Sequence, residues 1–549
     1  MRLWERLEKY VGQLNGTPLL VIFTFINILN YIDRGIVPGA FESIGGFIRT
    51  DLNVSDNGVQ MGLLQSMYIV GYAVASLVFG YQTRFRPPFQ LMAIGLFIWC
   101  ISVILSGFAP HYWVLVLARM LSGAGEASFQ TVVPPWIDDN APPSRRGLWL
   151  SIFFTAIPLG TAIGFAWGGE IATILTWRWA FFLEAIPMIP LVPIVFLVKY
   201  STPASRKHAD QQRHLTGELT PSEEEDGLVL PLMSPTKKIA QSSSSSSTSS
   251  SSSSQQVSSN NTNEDTIQST SFTQEIYYVL TQPIYLAVVF GYAGYTAVLA
   301  GIGNFGPTIV EGLGIVHTQS EASLYFGIAV SLAGAIGTPL GGFLLDYLTK
   351  RLHKHASLND GSTVDGTRQG DDTKERPEFE ENEDITDELE STDPRILDTK
   401  LNVALIQAVF FTLFGFVGCT AGILLGEKSS LAFFVLLSLG ALCLCSTTAG
   451  INMAIMASIR PESRSFGIGL GTLLTHAFGD VPAPPIIGGI ADKLSPQTCS
   501  SDGTNCTRSQ YGLQVTLVVT LLWLSWPVLL WSLAWFLRRF LTKKKNNSR

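Results

Sequence analysis

Runs of about twenty mostly apolar residues, separated by short polar stretches, recur along the whole chain. They fall near residues 19–40, 58–81, 89–108, 112–137, 147–170, 178–199, 283–310, 322–346, 400–424, 430–458, 465–490 and 511–537. Each is long enough to cross a bilayer as a helix, so the pattern predicts an all-α membrane protein with twelve transmembrane helices. An even number places both termini on one side. Residues 200–272 interrupt the series with Ser242–Ser254, broken only by Thr248, and carry too few apolar groups to offset ordering entropy. They are expected to be a disordered linker dividing the runs six and six into an N-lobe (19–199) and a C-lobe. The C-lobe holds spans 7 and 8 in 273–351 and spans 9 to 12 in 399–537, with a second disordered loop expected at 352–398. A short N-terminal segment, 1–18, and a basic tail, 538–549, complete the plan.

Charge orients this plan. Lys and Arg gather at Arg2, Arg6 and Lys9, at Arg84 and Arg86, at Arg145 and Arg146, at Lys350 and Arg351, at Arg460 and Arg464, and from Arg538 through Lys545. The opposite loops hold little beyond Arg49, Lys428, Lys493 and Arg508. Basic residues accumulate in short cytosolic loops, so both termini, the linker and the acidic loop are expected in the cytosol. The formal net charge of −7 misleads, because residues 353–398 contain fifteen Asp or Glu against five Lys or Arg. The rest of the chain is slightly basic, and nothing in it suggests nucleic acid. Of six cysteines, only Cys499 and Cys506 stand in a polar loop, where an oxidising lumen would permit a disulfide. Asn53 and Asn505 head glycosylation sequons on the same side.

Charges inside the apolar runs are costly and therefore informative. Span 1 reads Asn27-Ile-Leu-Asn30-Tyr31-Ile-Asp33-Arg34, and span 4 reads Arg119-Met-Leu-Ser122-Gly123-Ala-Gly125-Glu126-Ala-Ser128. Asp33 and Arg34 point about 100° apart on a helix, so each needs its own partner on another span. Arg119 and Glu126, seven apart, share a face, and Gly123 and Gly125 let a neighbouring backbone approach closely. Such a set can lock two helices or serve as a proton relay. Glu184 in span 6 is expected to pair with Arg178 or an interfacial group.

The stretch 472–492 carries His476 and Asp480, four apart and thus on one helical face, followed by Pro482, Pro484 and Pro485. Three prolines break or kink a helix, which membrane depth tolerates only around a cavity or well-packed neighbours. The halves also echo each other: Pro142 to Gly147 opens span 5 as Pro461 to Gly467 opens span 11. Carried forward, this repeat sets Gly160, just after Pro158, opposite Gly479. Span 7 is rich in glycine, with Tyr292, Tyr295, Asn304 and Phe305 as candidate cavity-lining residues beside Asn30 and Tyr31.

The run His476-x-x-Gly-Asp480-x-Pro-x-Pro-x-Ile-x-Gly488, together with Asn30-Tyr31-x-Asp33-Arg34 and Arg119 to Ser128, resembles the signature of the Spinster family, lipid transporters of the major facilitator superfamily. That resemblance implies a two-lobed carrier of lysophospholipid or sphingolipid, often proton-coupled, and favours an endolysosomal or vacuolar membrane, with the plasma membrane next. It points to Asp33, Arg34, Arg119, Glu126, His476 and Asp480 as coupling or substrate positions. The superfamily's loop signature is matched in the second half by Gly342, Asp346, Lys350 and Arg351, a cytosolic gate; in the first half Arg84 stands where an acid is expected. A carrier of a small organic anion or sugar, and a non-transporting scaffold, remain alternatives. The chain shows no Walker loop, no His-Glu-x-x-His and no Gly-x-Ser-x-Gly, so no enzyme, metal or cofactor is expected, and the carrier is expected to act as a monomer.

Overall fold

The computed structural model describes residues 16–198, 272–359, 394–496, 498–499 and 506–547, apart from residues 84, 143–144, 427 and 461–462. The expected serine linker and most of the acidic loop, with Arg84 and Asn505, lie outside the described residues. Among the described residues the regular structure is helical apart from one ribbon of two-residue strands, Thr498–Cys499 with Cys506–Thr507, in which Cys499 stands opposite Cys506.

Among the described residues, ten helical stretches are long and apolar enough to cross a membrane. They correspond to predicted spans 1 (Thr17–Gly39), 2 (Gly58–Gln82), 3 (Pro88–Phe108), 5 (Arg146–Ile174), 6 (Trp177–Leu197), 7 (Pro283–Gly312), 8 (Gln319–Asn359), 9 (Pro394–Gly426), 10 (Ser430–Ala457) and 12 (Gln510–Asn547). Span 4, Tyr112–Asn140, is one helix of full length whose hydropathy is lowered by the charges it carries. Span 11 is split into Arg464–Thr475 and Ala483–Leu494. Spans 8 and 9 run to Asn359 and back from Pro394, several residues into what the sequence suggests is loop. The hydropathy pattern also passes over an amphipathic helix, Phe41–Leu52, which lies between spans 1 and 2 in the chain and buries Phe41, Ile44 and Ile48.

Glycines set the helix crossings. A methyl group on Gly123 would lie 1.9 Å from the Tyr68 carbonyl oxygen, and one on Gly125 2.7 Å from that of Gly95. Span 4 is therefore pressed against span 2 on one side and span 3 on the other, as small residues permit. The repeat is visible in the packing: Gly160 of span 5 meets Ile28 of span 1, and Gly479 of span 11 meets Ala293 of span 7. The two lobes meet in the half of the molecule away from the termini. Spans 2 and 11 touch backbone to backbone at Gly58–Gly488 and Gly62–Pro484, and Ser66 donates to the Val481 carbonyl. Spans 5 and 8 meet through Phe165–Phe326 and through Ser331, which donates to the Pro158 carbonyl.

Candidate functional site

Span 1 delivers Asp33 and Arg34 to two different partners on span 4. Arg119 Nη1 lies 2.5 Å from Asp33 Oδ1, and its Nη2 donates to the Asp33 carbonyl at 3.3 Å. Arg34 grips Glu126 with both prongs, Nη2 to Oε1 at 2.7 Å and Nε to Oε2 at 3.0 Å. Tyr68 of span 2 donates its hydroxyl to the same carboxylate. The side chains of Asp33, Arg119 and Glu126 have no exposed surface, whereas Arg34 keeps 23% of its own. Bidentate charge-assisted pairs of this kind offset the cost of burying ions. The predicted separation of Asp33 from Arg34 holds, and the shared face of Arg119 and Glu126 is turned toward span 1.

Aromatic rings complete the pocket of Arg34: Tyr31, Tyr68 and Tyr72 lie 4.8, 5.0 and 5.4 Å from its guanidinium carbon, within cation–π range. Tyr68 also faces Arg119 at 4.7 Å. Tyr68 and Tyr72 are one helical turn apart on span 2, a spacing readable in the sequence that a plain hydropathy reading treats as ordinary membrane aromatics. Asn30 is fully buried, and neither end of its amide finds a partner. Asn27 instead bridges the Phe153 carbonyl and Gln130.

Glu184 does not pair with Arg178. Arg178, in the first turn of span 6, caps span 3 by donating to the carbonyls of Gly107 and Ala109, and stacks on Trp177 and Phe47. Glu184 lies nearly two turns deeper, 3% exposed, in electrostatic contact with Asp33 and Arg119. It is the functional candidate that the sequence reading leaves out.

In the C-lobe, His476 Nδ1 and Asp480 Oδ2 are 2.8 Å apart, as the i, i+4 spacing predicts. The break in span 11 comes earlier than the prolines alone imply: residues His476–Asp480 form a π-turn, and Pro482 sits at the mouth of the next helix. The widened turn frees a carbonyl and swings the pair toward span 7, where Thr296 donates to Asp480 Oδ1 at 3.2 Å. The His476 ring meets Tyr72 edge-on at 5.9 Å, so Tyr72 touches both the Arg34 pocket and the C-lobe pair.

Two expected cavity residues are packing residues. Tyr295 is buried and donates to the Leu444 carbonyl at 2.6 Å. Phe305 is wedged edge-on against Phe41. Asn304 is buried without a partner for its amide, and Tyr292 stacks on Tyr295 while lining a small cavity of about 90 Å³ with Asn452 and Thr472. Gly342, Asp346, Lys350 and Arg351 lie on the terminus-side end of span 8, still helical, and Asp346 pairs with Lys400 of span 9 at 3.3 Å. Asn53 is the exposed left-handed cap of the Phe41–Leu52 helix.

The major facilitator superfamily profile matches residues 23–358, and the organic anion transporter polypeptide profile matches residues 427–511. The chain is similar to the probable sphingolipid transporter spinster homolog 1 of Arabidopsis thaliana, 27% identical across 86% of this chain and 82% of that one. It is 36% identical to the sphingosine-1-phosphate transporter SPNS2 of Xenopus tropicalis across 34% of this chain and 35% of that one. Its fold matches the crystal structure of a bacterial homolog to the human lysosomal transporter Spinster, inward-facing and occupied, with a TM-score of 0.59 at 16% identity over 94% of this chain and 96% of that one.

Proposed function

The chain belongs to the major facilitator superfamily, and from that premise we propose that it is a Spinster-type carrier that moves an amphipathic lipid, a lysophospholipid or a sphingolipid such as a sphingoid phosphate, by proton-coupled alternating access. The observation that carries this reading is Arg34. It is the member of the N-lobe charge network that retains exposed surface, and three tyrosines surround it. A phosphate headgroup could take the place of Glu126 on its two donors, while the aromatic rings accept the start of an acyl or sphingoid chain. Glu126, released from Arg34 and left with the Tyr68 hydroxyl, would then be a buried carboxylate without its counter-charge and would take up a proton. Substrate and proton are thereby linked through one guanidinium. The pair His476–Asp480, reached through Tyr72, gives the C-lobe its half of the gate.

The orientation we propose follows the basic residues: termini in the cytosol, lobes closed at the luminal end, the Arg34 pocket approached from the cytosol. The membrane we assign is endolysosomal or vacuolar and the carrier monomeric, on family resemblance. Localisation of a tagged full-length chain tests the first assignment, and a plasma-membrane signal would overturn it.

The test uses the full chain in proteoliposomes with an imposed pH gradient and a panel of lysolipids, sphingoid phosphates and small organic anions. Uptake of a lipid member that rises with the gradient is the expected result. Glu126→Gln keeps shape and hydrogen bonding but cannot ionise, so gradient-driven accumulation should vanish while substrate exchange persists. Accumulation in the variant with an undiminished response to pH would refute the coupling role, and uptake confined to organic anions would refute the lipid.

A further inference from the structure

The buried charges of the N-lobe do not balance. Three carboxylates, Asp33, Glu126 and Glu184, face two guanidiniums, Arg34 and Arg119, and four of these five side chains are sealed from solvent. Glu126 is fully engaged by Arg34 and Tyr68. Asp33 uses one oxygen on Arg119 and leaves Oδ2 without a partner, and neither Glu184 oxygen has a side-chain partner, with only the Asp33 backbone beside it. The groups facing Glu184 are Asp33 from span 1, Arg119 from span 4 and Cys100 from span 3. Span 5 packs beside it through Trp167, bonded to the Ala180 carbonyl, and its Glu170 is engaged elsewhere by Ser320. With Arg119 already committed to Asp33, ionised Glu184 would be an excess negative charge in a dry site, which proteins avoid by binding a proton.

We propose that the N-lobe charge cluster carries one proton on Glu184, next to Asp33, and that this proton leaves when the site opens to water. The step is a plain acid dissociation. The Glu184 carboxyl gives its proton to water, the O–H electron pair stays on the carboxylate, and the new anion competes with Asp33 for Arg119. This inference rests on the transport reading for its role in coupling, where it makes Glu184 the resting place of the proton while Asp33 and Glu126 stay paired. The site itself is testable without any substrate.

Infrared spectra of the purified full chain in nanodiscs at neutral pH should show a protonated-carboxyl C=O band, shifted by deuterium, that is lost in Glu184→Gln and kept in Glu126→Gln. Asp33→Asn provides an independent arm: with Asp33 neutral, Glu184 should ionise onto Arg119, and the same band should disappear. That arm decides the matter if Glu184→Gln does not fold. A band unchanged in Glu184→Gln, or persisting in Asp33→Asn, overturns the assignment. In proteoliposomes, Glu184→Gln should flatten the pH profile of lipid transport while exchange continues. Loss of the band with an unchanged pH profile overturns the coupling role alone, whereas absence of lipid transport in the wild type leaves the infrared result standing and refutes the transport reading instead.

Discussion

Two acids and two bases can be paired in more than one way, and sequence spacing alone cannot choose between them. Adjacency told that Asp33 and Arg34 diverge, and a seven-residue interval told that Arg119 and Glu126 share a face. That Asp33 takes Arg119 and Arg34 takes Glu126 depends on the height at which spans 1 and 4 cross, which Gly123 and Gly125 fix through contacts with other spans. Glu184 was misassigned for a similar reason: Arg178 is near in sequence, but at the helix start its donors go to orphan carbonyls of span 3. Guanidinium geometry should matter more than charge at position 34. Arg34→Lys keeps the cation but loses the second prong to Glu126 and the flat face toward Tyr31 and Tyr68. One lost charge-assisted hydrogen bond is worth about 1.5 kcal/mol or more, so transport efficiency should fall at least about tenfold. Initial rates across substrate concentration check this, and a wild-type kcat/KM in the variant would remove Arg34 from the binding site.

At the scale of elements, the repeat between Pro142–Gly147 and Pro461–Gly467 sets Gly160 opposite Gly479, and the structure seats the two at equivalent crossings, Gly160 against span 1 and Gly479 against span 7. The π-turn at His476–Asp480 was only half legible. Prolines announce a break, but a widened turn upstream of them leaves no residue signature. The Phe41–Leu52 helix escaped notice because it is too short and too polar to look like a span, yet it has a definite task. Its Asp51 accepts the Tyr112 amide at 2.8 Å, one of the unpaired donors at the start of span 4, and meets His111 Nδ1 at 2.9 Å. The Tyr112 amide, then His111, hold the Asp51 carboxyl below its ordinary 3.8. A lowered acid contributes stability that is fully present above its ordinary value and is lost as pH falls through the lower folded value. Asp51→Asn should therefore lower the melting temperature equally at pH 7 and in the mildly acidic range of an endolysosome, near pH 5 as an order-of-magnitude reference. The gap between variant and wild type should close only as the pH drops below 3.8. A gap that already closes in the mildly acidic range would show that the Asp51 carboxyl is not held below its ordinary value, and that it does not cap span 4 as a carboxylate.

At the scale of the whole molecule, hydropathy located the apolar helices of a major facilitator fold, but not which end is shut. The closed end is held largely by backbone contacts, such as Gly58 against Gly488 and Gly62 against Pro484, and these carry no charge pattern that a sequence could display. The polar part of the closure is compact. Asp492 of span 11 accepts the amides of Gly58 and Val59 at 3.2 Å each, at the unpaired N-terminus of span 2, where a carboxylate is favoured. Arg508, from the polar stretch before span 12, donates to Asp492 at 3.3 Å and to Asn57 at 3.3 Å. One carboxylate thus ties both lobes and the loop, and it has to let go for the far end to open. Hydrogen bonds to a charged group contribute about 1.5–3 kcal/mol each, and about 1.4 kcal/mol is already tenfold in a conformer ratio. Asp492→Asn removes the charge while keeping the size, so it should shift the population toward the state open at that end by tenfold or more. Spin labels on exposed Ser55 and Lys493, one on each lobe, read this directly. The wild type should give one short distance, and Asp492→Asn should add a longer one. If the variant keeps the single short distance, the glycine contacts alone hold the end shut, and Asp492 serves only to cap span 2.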